Sequence, residues 1–305
     1  MDLHDVKTLL VTGGSGMVGR NVAEAAKAQG CRVRLADHAW HSASPALECD
    51  ECVTFDIRDV AACMEHARGV NAVVHCAAVV GPSAALADPL VTLAVNVTGT
   101  ANLLEAAHAY GARLLNVSSS SIYGYRPELE PISEDSRTEP QSMYEASKLM
   151  AEIHCIAHRR TYGSDVASFR TGAVFGPGIQ IGEYFLPRAL AGETISEPVG
   201  RDHPIDFTYV VDLAEALVQA ALTTELRHAV YNVSGGVLRT RGELAQAVRA
   251  LVPGANIEIG PGLDPQRNLR GPSILSRARD DFGWQPRFTL ESALADWSQR
   301  SRRPT

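Results

Sequence analysis

An α/β fold, with a doubly wound parallel sheet and a smaller C-terminal lobe interleaved with it, is what the sequence predicts, and three observations lead there. Short β-branched runs alternate with longer helical patterns through the first two-thirds of the chain. The first of these runs empties into a cluster of glycines that opens a helix. The chain has 305 residues, 45% of them hydrophobic, enough for one large core with a satellite lobe.

Taken in order, Thr8 to Val11, Arg32 to Ala36, Val53 to Phe55, Ala72 to His75, Arg113 to Val117 and Asp165 to Arg170 read as strands. Most are continuous apolar runs, as strands covered on both faces should be. Helical patterns fill the intervals at Gly16 to Gln29, Asp59 to Ala67, Leu90 to Ala109 and Ser142 to Tyr162. After Gly176-Pro177-Gly178 the pattern loosens, then returns to a helix at Val211 to Leu222 and a strand at Ala229 to Val233. The expected division is a large domain of residues 1–172 and 205–233 and a lobe of residues 173–204 and 234–305. No internal repeat or low-complexity linker interrupts it.

Twenty-eight basic and thirty-five acidic residues leave a formal charge of −7, which gives nucleic acid and anionic membranes no electrostatic hold. A small-molecule partner is expected instead. The start, Met1-Asp2-Leu3-His4-Asp5, lacks the basic and apolar regions of a secretory signal, and no apolar run is expected to reach a membrane span of ~18 to 20 residues. The expected location is therefore the cytoplasm. Cys31, Cys49, Cys52, Cys63, Cys76 and Cys155 are expected as reduced thiols, and the single C-x-x-C at Cys49 and Cys52 as two loop thiols with no zinc or redox role. The basic tail, Arg300-Ser301-Arg302-Arg303, reads as a solvated end.

In Leu9-Leu10-Val11-Thr12-Gly13-Gly14-Ser15-Gly16-Met17-Val18-Gly19 a buried strand precedes the glycines and a helix follows them. Gly13 permits a tight turn, Gly16 lets backbone approach a pyrophosphate at the helix N-terminus, and Gly19 allows close helix packing; Ser15, Met17 and Val18 complete the loop. This is the fingerprint of a Rossmann-type dinucleotide site. Eighteen residues past Gly19 stands Asp37, whose carboxylate can take both adenosine ribose hydroxyls and would repel a 2′-phosphate, so NAD is expected over NADP. Arg34 points elsewhere if its strand alternates, and His38 and His41 offer no firm alternative. Asp56 and Ile57, after the third strand, are softer candidates for the adenine.

Tyr144 and Lys148 lie at i and i+4 near the start of a helix and so share a face. A free tyrosine titrates near ~10; a nearby ammonium and the positive nicotinamide of NAD+ are expected to lower that and make an acid/base. Twenty-five residues upstream, Ser118-Ser119-Ser120-Ser121 end a strand at the carboxyl edge, where open α/β sheets bind ligands.

These segments together resemble the extended short-chain dehydrogenase/reductase family, the NAD-dependent epimerase/dehydratase group that includes UDP-galactose 4-epimerase. The likeness spans nearly the whole chain: T-G-G-x-G-x-x-G at Thr12 to Gly19, His75-Cys76-Ala77-Ala78, Asn96-Val97-Thr98-Gly99-Thr100, S-S-x-x-x-Y-G, Y-x-x-x-K, Phe207-Thr208-Tyr209-Val210-Val211-Asp212 and Phe282-Gly283-Trp284-x-Pro286. The resemblance implies Ser119, four residues before Tyr123, as the catalytic serine, with Tyr144 as acid/base and Lys148 on the nicotinamide ribose. It also implies that Ala77, Ala78, Val79 and Asn96 border the cofactor, that Asp56 and Ile57 meet the adenine, that no metal is used, and that the protein forms a homodimer through helices near Leu90 to Ala109 and Ser142 to Tyr162.

Departures from the family pattern narrow the reaction. Ser120 and Ser121 replace the Asp-Glu of 4,6-dehydratases, and Ser121 stands where decarboxylases carry glutamate and 3,5-epimerase/reductases cysteine. What remains is hydride transfer at a secondary alcohol or ketone, or a 4-epimerase cycle with no net redox change. An NAD(H)-sensing protein without turnover is the alternative from another class. Ala173 replaces the usual asparagine and Ile205 the arginine of R-D-F, so a diphosphate loses a charged partner unless Arg201, Arg267 or Arg270 compensates. A smaller sugar-, polyol- or hydroxyacid-like substrate is expected, contacting Ser119, Ser120, Ser121, Tyr144, Arg201 and the small apolar lip at Val80.

Overall fold

The computed structural model describes residues 6–40, 49–178 and 185–301. The acidic start Met1 to Asp5, His41 and the end of the basic tail, Arg302-Arg303, lie outside the described residues.

Strands β1 (Thr8–Thr12), β2 (Arg32–Asp37), β3 (Glu51–Thr54), β4 (Ala72–His75), β5 (Arg113–Ser119) and β6 (Val166–Thr171) join a later strand, Val230–Val233, in one sheet. Its seven strands are all parallel, and β1 and β4, neighbours across the sheet's centre, mark the reversal of strand order. The crevice above that reversal is where such sheets bind ligands. The central strands are buried, as at Leu9 to Val11 and Ala72 to Val74, because both faces are covered there, whereas the edge strand β3 is largely exposed. Leu9 and Val11 pack with helix α1 (Met17–Ala28) and a later helix, Val210–Leu222, while Leu10 packs with α2 (Val60–Ala67) on the other face.

The helix expected at Leu90 to Ala109 is subdivided. Helix α3 (Pro82–Ala87) precedes α4 (Pro89–Leu93), which passes through a π-helical turn, Ala94–Gly99, into α5 (Thr100–Ala109). Pro89 needs no donor at its position, and Asp88 caps the start by accepting from the Val91 amide at 3.0 Å. By length and composition the stretch Pro89–Ala109 could cross a membrane, contrary to the expectation that no such run exists. Leu103, Leu104, Ala106 and Ala107 are, however, buried against α2 and the sheet. Helix α6 (Met143–Tyr162) starts at Ser142, which accepts from the Glu145 amide at 3.2 Å, and stops at Gly163 in the left-handed conformation.

The lobe contains β7 (Ala173–Phe175), α7 (Phe185–Leu190), β8 (Ile195–Glu197) and β9 (Pro204–Tyr209). The chain then returns to the large sheet through α8 (Val210–Leu222) and β10 (Val230–Val233) before β11 (Leu238–Thr240), α9 (Arg241–Leu251), β12 (Ile257–Ile259), α10 (Ser276–Phe282) and α11 (Leu290–Ser301). β11, β9 and β7 form a three-stranded sheet, and β12 pairs with β8. The boundary expected at 205 thus falls inside a lobe strand. Likewise Ala278 and Trp284, inside the segment expected in the lobe, are part of the large domain's core, with Trp284 Nε1 donating to Asp212 O at 3.0 Å. Phe175, Phe185, Leu244, Val248 and Trp297 form the lobe's own core.

One expectation about cysteine is overturned: Cys49 and Cys52 are joined in a disulfide at the start of the exposed strand β3. Their Cα atoms lie 6.4 Å apart, within reach of a bridge. Cys31, Cys63, Cys76 and Cys155 are free.

Candidate active site

The cradle begins where β1 ends. Gly13 has φ +70°, and a Cβ there would stand 2.7 Å from the Ala77 amide nitrogen, so both conformation and space demand glycine. Gly16 starts α1 with no side chain capping the helix, which leaves first-turn amides of Met17, Val18 and Gly19 for an anion. From the lobe side, Gly178 packs on the Met17 backbone, and Asn21 Nδ2 ties Pro177 O at 2.9 Å. Sequence reasoning missed that contact, because nothing local in Gly176-Pro177-Gly178 names its partner.

Asp37 closes β2 facing this loop. Its Oδ2 accepts from the Ser15 amide at 2.9 Å and the Ser15 hydroxyl at 2.6 Å, and its Oδ1 from the His38 amide at 2.7 Å. Burial opposes ionisation, but these bonds outweigh it and hold the carboxyl below its usual range. Ser15 therefore positions Asp37. Arg34 is directed away, to Glu51 at 2.7 Å and His66 O at 2.7 Å. Uncapped amides, a glycine cradle and an ionised carboxylate beside it fit a dinucleotide without a 2′-phosphate.

Ala77, Ala78 and Val79 follow β4 along the cradle's next wall. Asn96, in the π-helical turn, accepts from the Val79 amide at 2.8 Å and donates to Val79 O at 3.0 Å and Ser147 Oγ at 2.9 Å. Its amide is thus fully engaged in holding that wall. Asp56 pairs with Arg58 at 2.5 Å, and Ile57 is buried under Gly99. His75 sits between Thr12 at 2.8 Å and Thr100 at 3.0 Å, and burial lowers its pKa to about 3, so it stays neutral.

The reacting groups meet at the carboxyl end of β5. Ser119 caps a 3₁₀ turn, Ser120–Tyr123, and its Oγ lies 2.8 Å from Ser121 Oγ. Tyr144, half-buried on the first turn of α6, is hydrogen-bonded to Ser119. The expected lowering of the Tyr144 pKa does not occur in the protein alone. Burial pushes it up to about 12, the Ser119 bond only partly offsetting this and the Glu145 charge adding to it. Lys148, one turn on and 8% exposed, is pushed down to about 8 by burial against the opposing pull of Cys76, Cys155 and Glu152. At neutral pH the pair is a phenol and an ammonium.

Behind them lies a network that sequence reasoning did not find. Arg170, at the end of β6, reaches Glu152 of α6 at 2.5 Å, the Tyr123 hydroxyl at 2.8 Å and Glu134 O at 2.9 Å, while Tyr123 donates to Asn232 Oδ1 at 2.7 Å. An arginine closing a buried strand was the available signal. Of the substrate candidates, Ser120 and Ser121 join Ser119, and Val80 is exposed near the Val79 wall. Arg201 is exposed, pairs with Asp202 at 3.1 Å and borders a separate groove beside α9 and β12. The arginine whose charge reaches Glu145, next to Tyr144, is Arg270.

Fold and site together define a dinucleotide-dependent α/β enzyme of the short-chain dehydrogenase/reductase type. Residues 9–234 match the NAD dependent epimerase/dehydratase family, and the chain belongs to it, with NAD as its cofactor. Over 95% of its length it is 29% identical to UDP-glucuronic acid decarboxylase 1 of Danio rerio, covering 71% of that protein. The UDP-glucose 4-epimerase of Thermus thermophilus, solved with NAD, superposes with a TM-score of 0.83 at 27% identity, covering 95% of this chain and 99% of that one. A dTDP-glucose 4,6-dehydratase from Streptomyces venezuelae gives 0.82 at 26% identity, covering 97% and 98%. Three different reactions are thus represented on one framework.

Proposed function

We infer that the protein is an NAD-dependent oxidoreductase acting at a secondary alcohol or ketone of a sugar-, polyol- or hydroxyacid-like small molecule. The observation that carries this is the hydrogen-bonded Ser119–Tyr144 pair with Lys148 one turn on, and hydroxyls, not carboxylates, at 120 and 121. NAD held in the cradle supplies the hydride acceptor for an alcohol and, reduced, the donor for a ketone. Ser119 holds the reacting oxygen, and Tyr144 delivers or removes the proton on that same oxygen. With no acid or base on residues 120 and 121, neither loss of water nor decarboxylation has a proton carrier there.

A 4-epimerase cycle is the second reading, supported by the likeness to the Thermus enzyme. It uses the same three residues and returns the hydride to the opposite face of the ketone. The deciding experiment incubates the protein with NAD and a panel of sugars, polyols and hydroxy acids. NADH accumulating with a ketone product supports the oxidoreductase; a changed stereocentre with no NADH replaces it with the epimerase.

A homodimer and a cytoplasmic location belong to the same reading. Leu90, Met150 and Ile153, on α4 and α6, are exposed, and pairing of these helices between two copies would cover them. Light scattering on the protein and on Ile153→Asp tests this: a monomer in both cases rejects the dimer. Fractionation of the source cell tests the location.

A further inference from the structure

Beneath the Ala77–Val79 wall runs a chain of buried hydrogen bonds centred on His75, an ionisable group with no step in the reaction. His75 ends β4 directly opposite Thr12, the last residue of β1 before the glycine loop. Thr12, His75, Asn96, Thr100 and Ser147 are all buried, so each of their polar atoms needs a partner inside the protein.

The protons of this chain have one arrangement. Thr100 Oγ1 donates its single hydrogen to Asn96 O at 2.7 Å, so towards His75 Nε2, 3.0 Å away, it accepts. Nε2 therefore carries the ring proton. Burial, with the Lys148 charge adding to it, keeps the imidazole neutral; Nδ1 is then bare, and Thr12 Oγ1 donates to it at 2.8 Å. The same Thr12 oxygen accepts from the Ala77 amide at 3.4 Å. At the other end Asn96 Nδ2 divides its hydrogens between Val79 O and Ser147 Oγ, and Ser147 Oγ passes its own to Tyr144 O at 2.7 Å. A second proton on His75 would displace the Thr12 hydrogen, so the chain of bonds requires the neutral ring.

Its ends coincide with two parts of the site. Gly13, next to Thr12, belongs to the loop that offers its turn to a pyrophosphate, and it packs against Ala77 with no room for a Cβ. Tyr144, at the other end, belongs to the reacting groups. The wall from Ala77 to Val79 spans the interval between them, whereas Asp37 lies the other way, on the far side of β1. Pyrophosphate to reacting group is the stretch a nicotinamide riboside occupies; Asp37 faces the adenosine.

We propose that His75 is a positioning residue for the nicotinamide half of NAD, its neutral, Nε2-protonated ring holding the Ala77–Val79 wall in place against the helix that carries Tyr144. The role rests on the NAD site alone and is the same whether that site runs an oxidoreductase or an epimerase reaction.

The test compares, by calorimetric titration of the full chain, the affinities for NADH and for ADP-ribose, which lacks the nicotinamide. Thr100→Val, which keeps the shape and removes the hydroxyl, and His75→Leu should each weaken NADH about fivefold or more, as loss of one neutral hydrogen bond implies, and leave ADP-ribose within about twofold. Thr100→Ser keeps the hydroxyl and should bind both nucleotides as the unsubstituted protein does. Should His75→Leu fail to fold, Thr100→Val carries the comparison. Nitrogen NMR of the His75 ring at neutral pH should show a protonated Nε2 and a bare Nδ1. Equal loss of both nucleotides, undiminished NADH affinity in Thr100→Val, or a proton found on Nδ1 would each overturn the proposal and leave the network as scaffolding only.

Discussion

Ser119 Oγ lies 2.8 Å from Ser121 Oγ and also accepts from the Ser121 amide at 3.2 Å, so Ser121 holds the catalytic hydroxyl at two points. With Ser121 donating at both points, the Ser119 proton is directed at Tyr144, where the reacting oxygen would be bound. The position where related enzymes place an acid or base here carries a hydroxyl that orients its neighbour.

Ser121→Ala should lower kcat about five- to tenfold, the equivalent of one neutral hydrogen bond of about 1 kcal/mol, with KM for NAD unchanged. Ser121→Thr keeps the hydroxyl and should restore most of the rate. Steady-state kinetics of the three proteins decide it, and an undiminished kcat in Ser121→Ala would remove the positioning role.

Lys148 gives a pH dependence of defined sign. Its pKa is lowered from 10.5 to about 8, so between those values the unfolded chain binds more protons than the folded one. Stability therefore rises with pH through that window, by roughly 3 kcal/mol in total, and the penalty is fully present below about 8. Denaturant unfolding of the protein and of Lys148→Met across this range should show the gain in the former only. Parallel curves would mean that Lys148 titrates normally.

Much of this site was legible in the sequence because its parts are local. A glycine loop between strand and helix, an acid closing the next strand and an i, i+4 Tyr/Lys pair each constrain geometry over a few residues. The lobe was less legible. β7, β8, β11 and β12 are three residues each, too short for alternation to register, and β9 joins the lobe sheet through partners on both sides of it in sequence. Spacing alone also did not tell a bridged from an unbridged Cys49 and Cys52. Arg201 and Arg270 were equivalent as loop arginines, and only tertiary placement separates the exposed one from the one beside Glu145.

Asn96 couples the π-helical turn to the cofactor wall. Replacing it with Ala strands the Val79 amide and carbonyl, which should cost about 1 to 3 kcal/mol of stability. Because Val79 borders the cradle, NADH affinity should fall as well, while Arg34→Ala, on the far side of β2, leaves it unaltered. Fluorescence titration distinguishes the two; equal NADH affinity in Asn96→Ala would reduce Asn96 to a purely structural role.

The Arg170–Glu152 pair is the buried charge on which the site's rear wall depends. Glu152 is fully buried and Arg170 is 5% exposed; burial works against the guanidinium's charge, but the Glu152 carboxylate outweighs it and raises the arginine's pKa. Glu152→Gln leaves an arginine in the interior without a counter-charge, and loss of one partner of such a pair typically costs about 3 to 5 kcal/mol. Removing both charges, with Glu152→Leu and Arg170→Met, should cost less than the two single losses together, because no unpaired ion remains. The Tyr123–Asn232 bond survives in the double variant, so the 3₁₀ turn that carries Ser121 keeps one of its anchors. Urea unfolding of the two single variants and the double variant measures the coupling directly, and strict additivity would show that the pair contributes no mutual stabilisation to this wall.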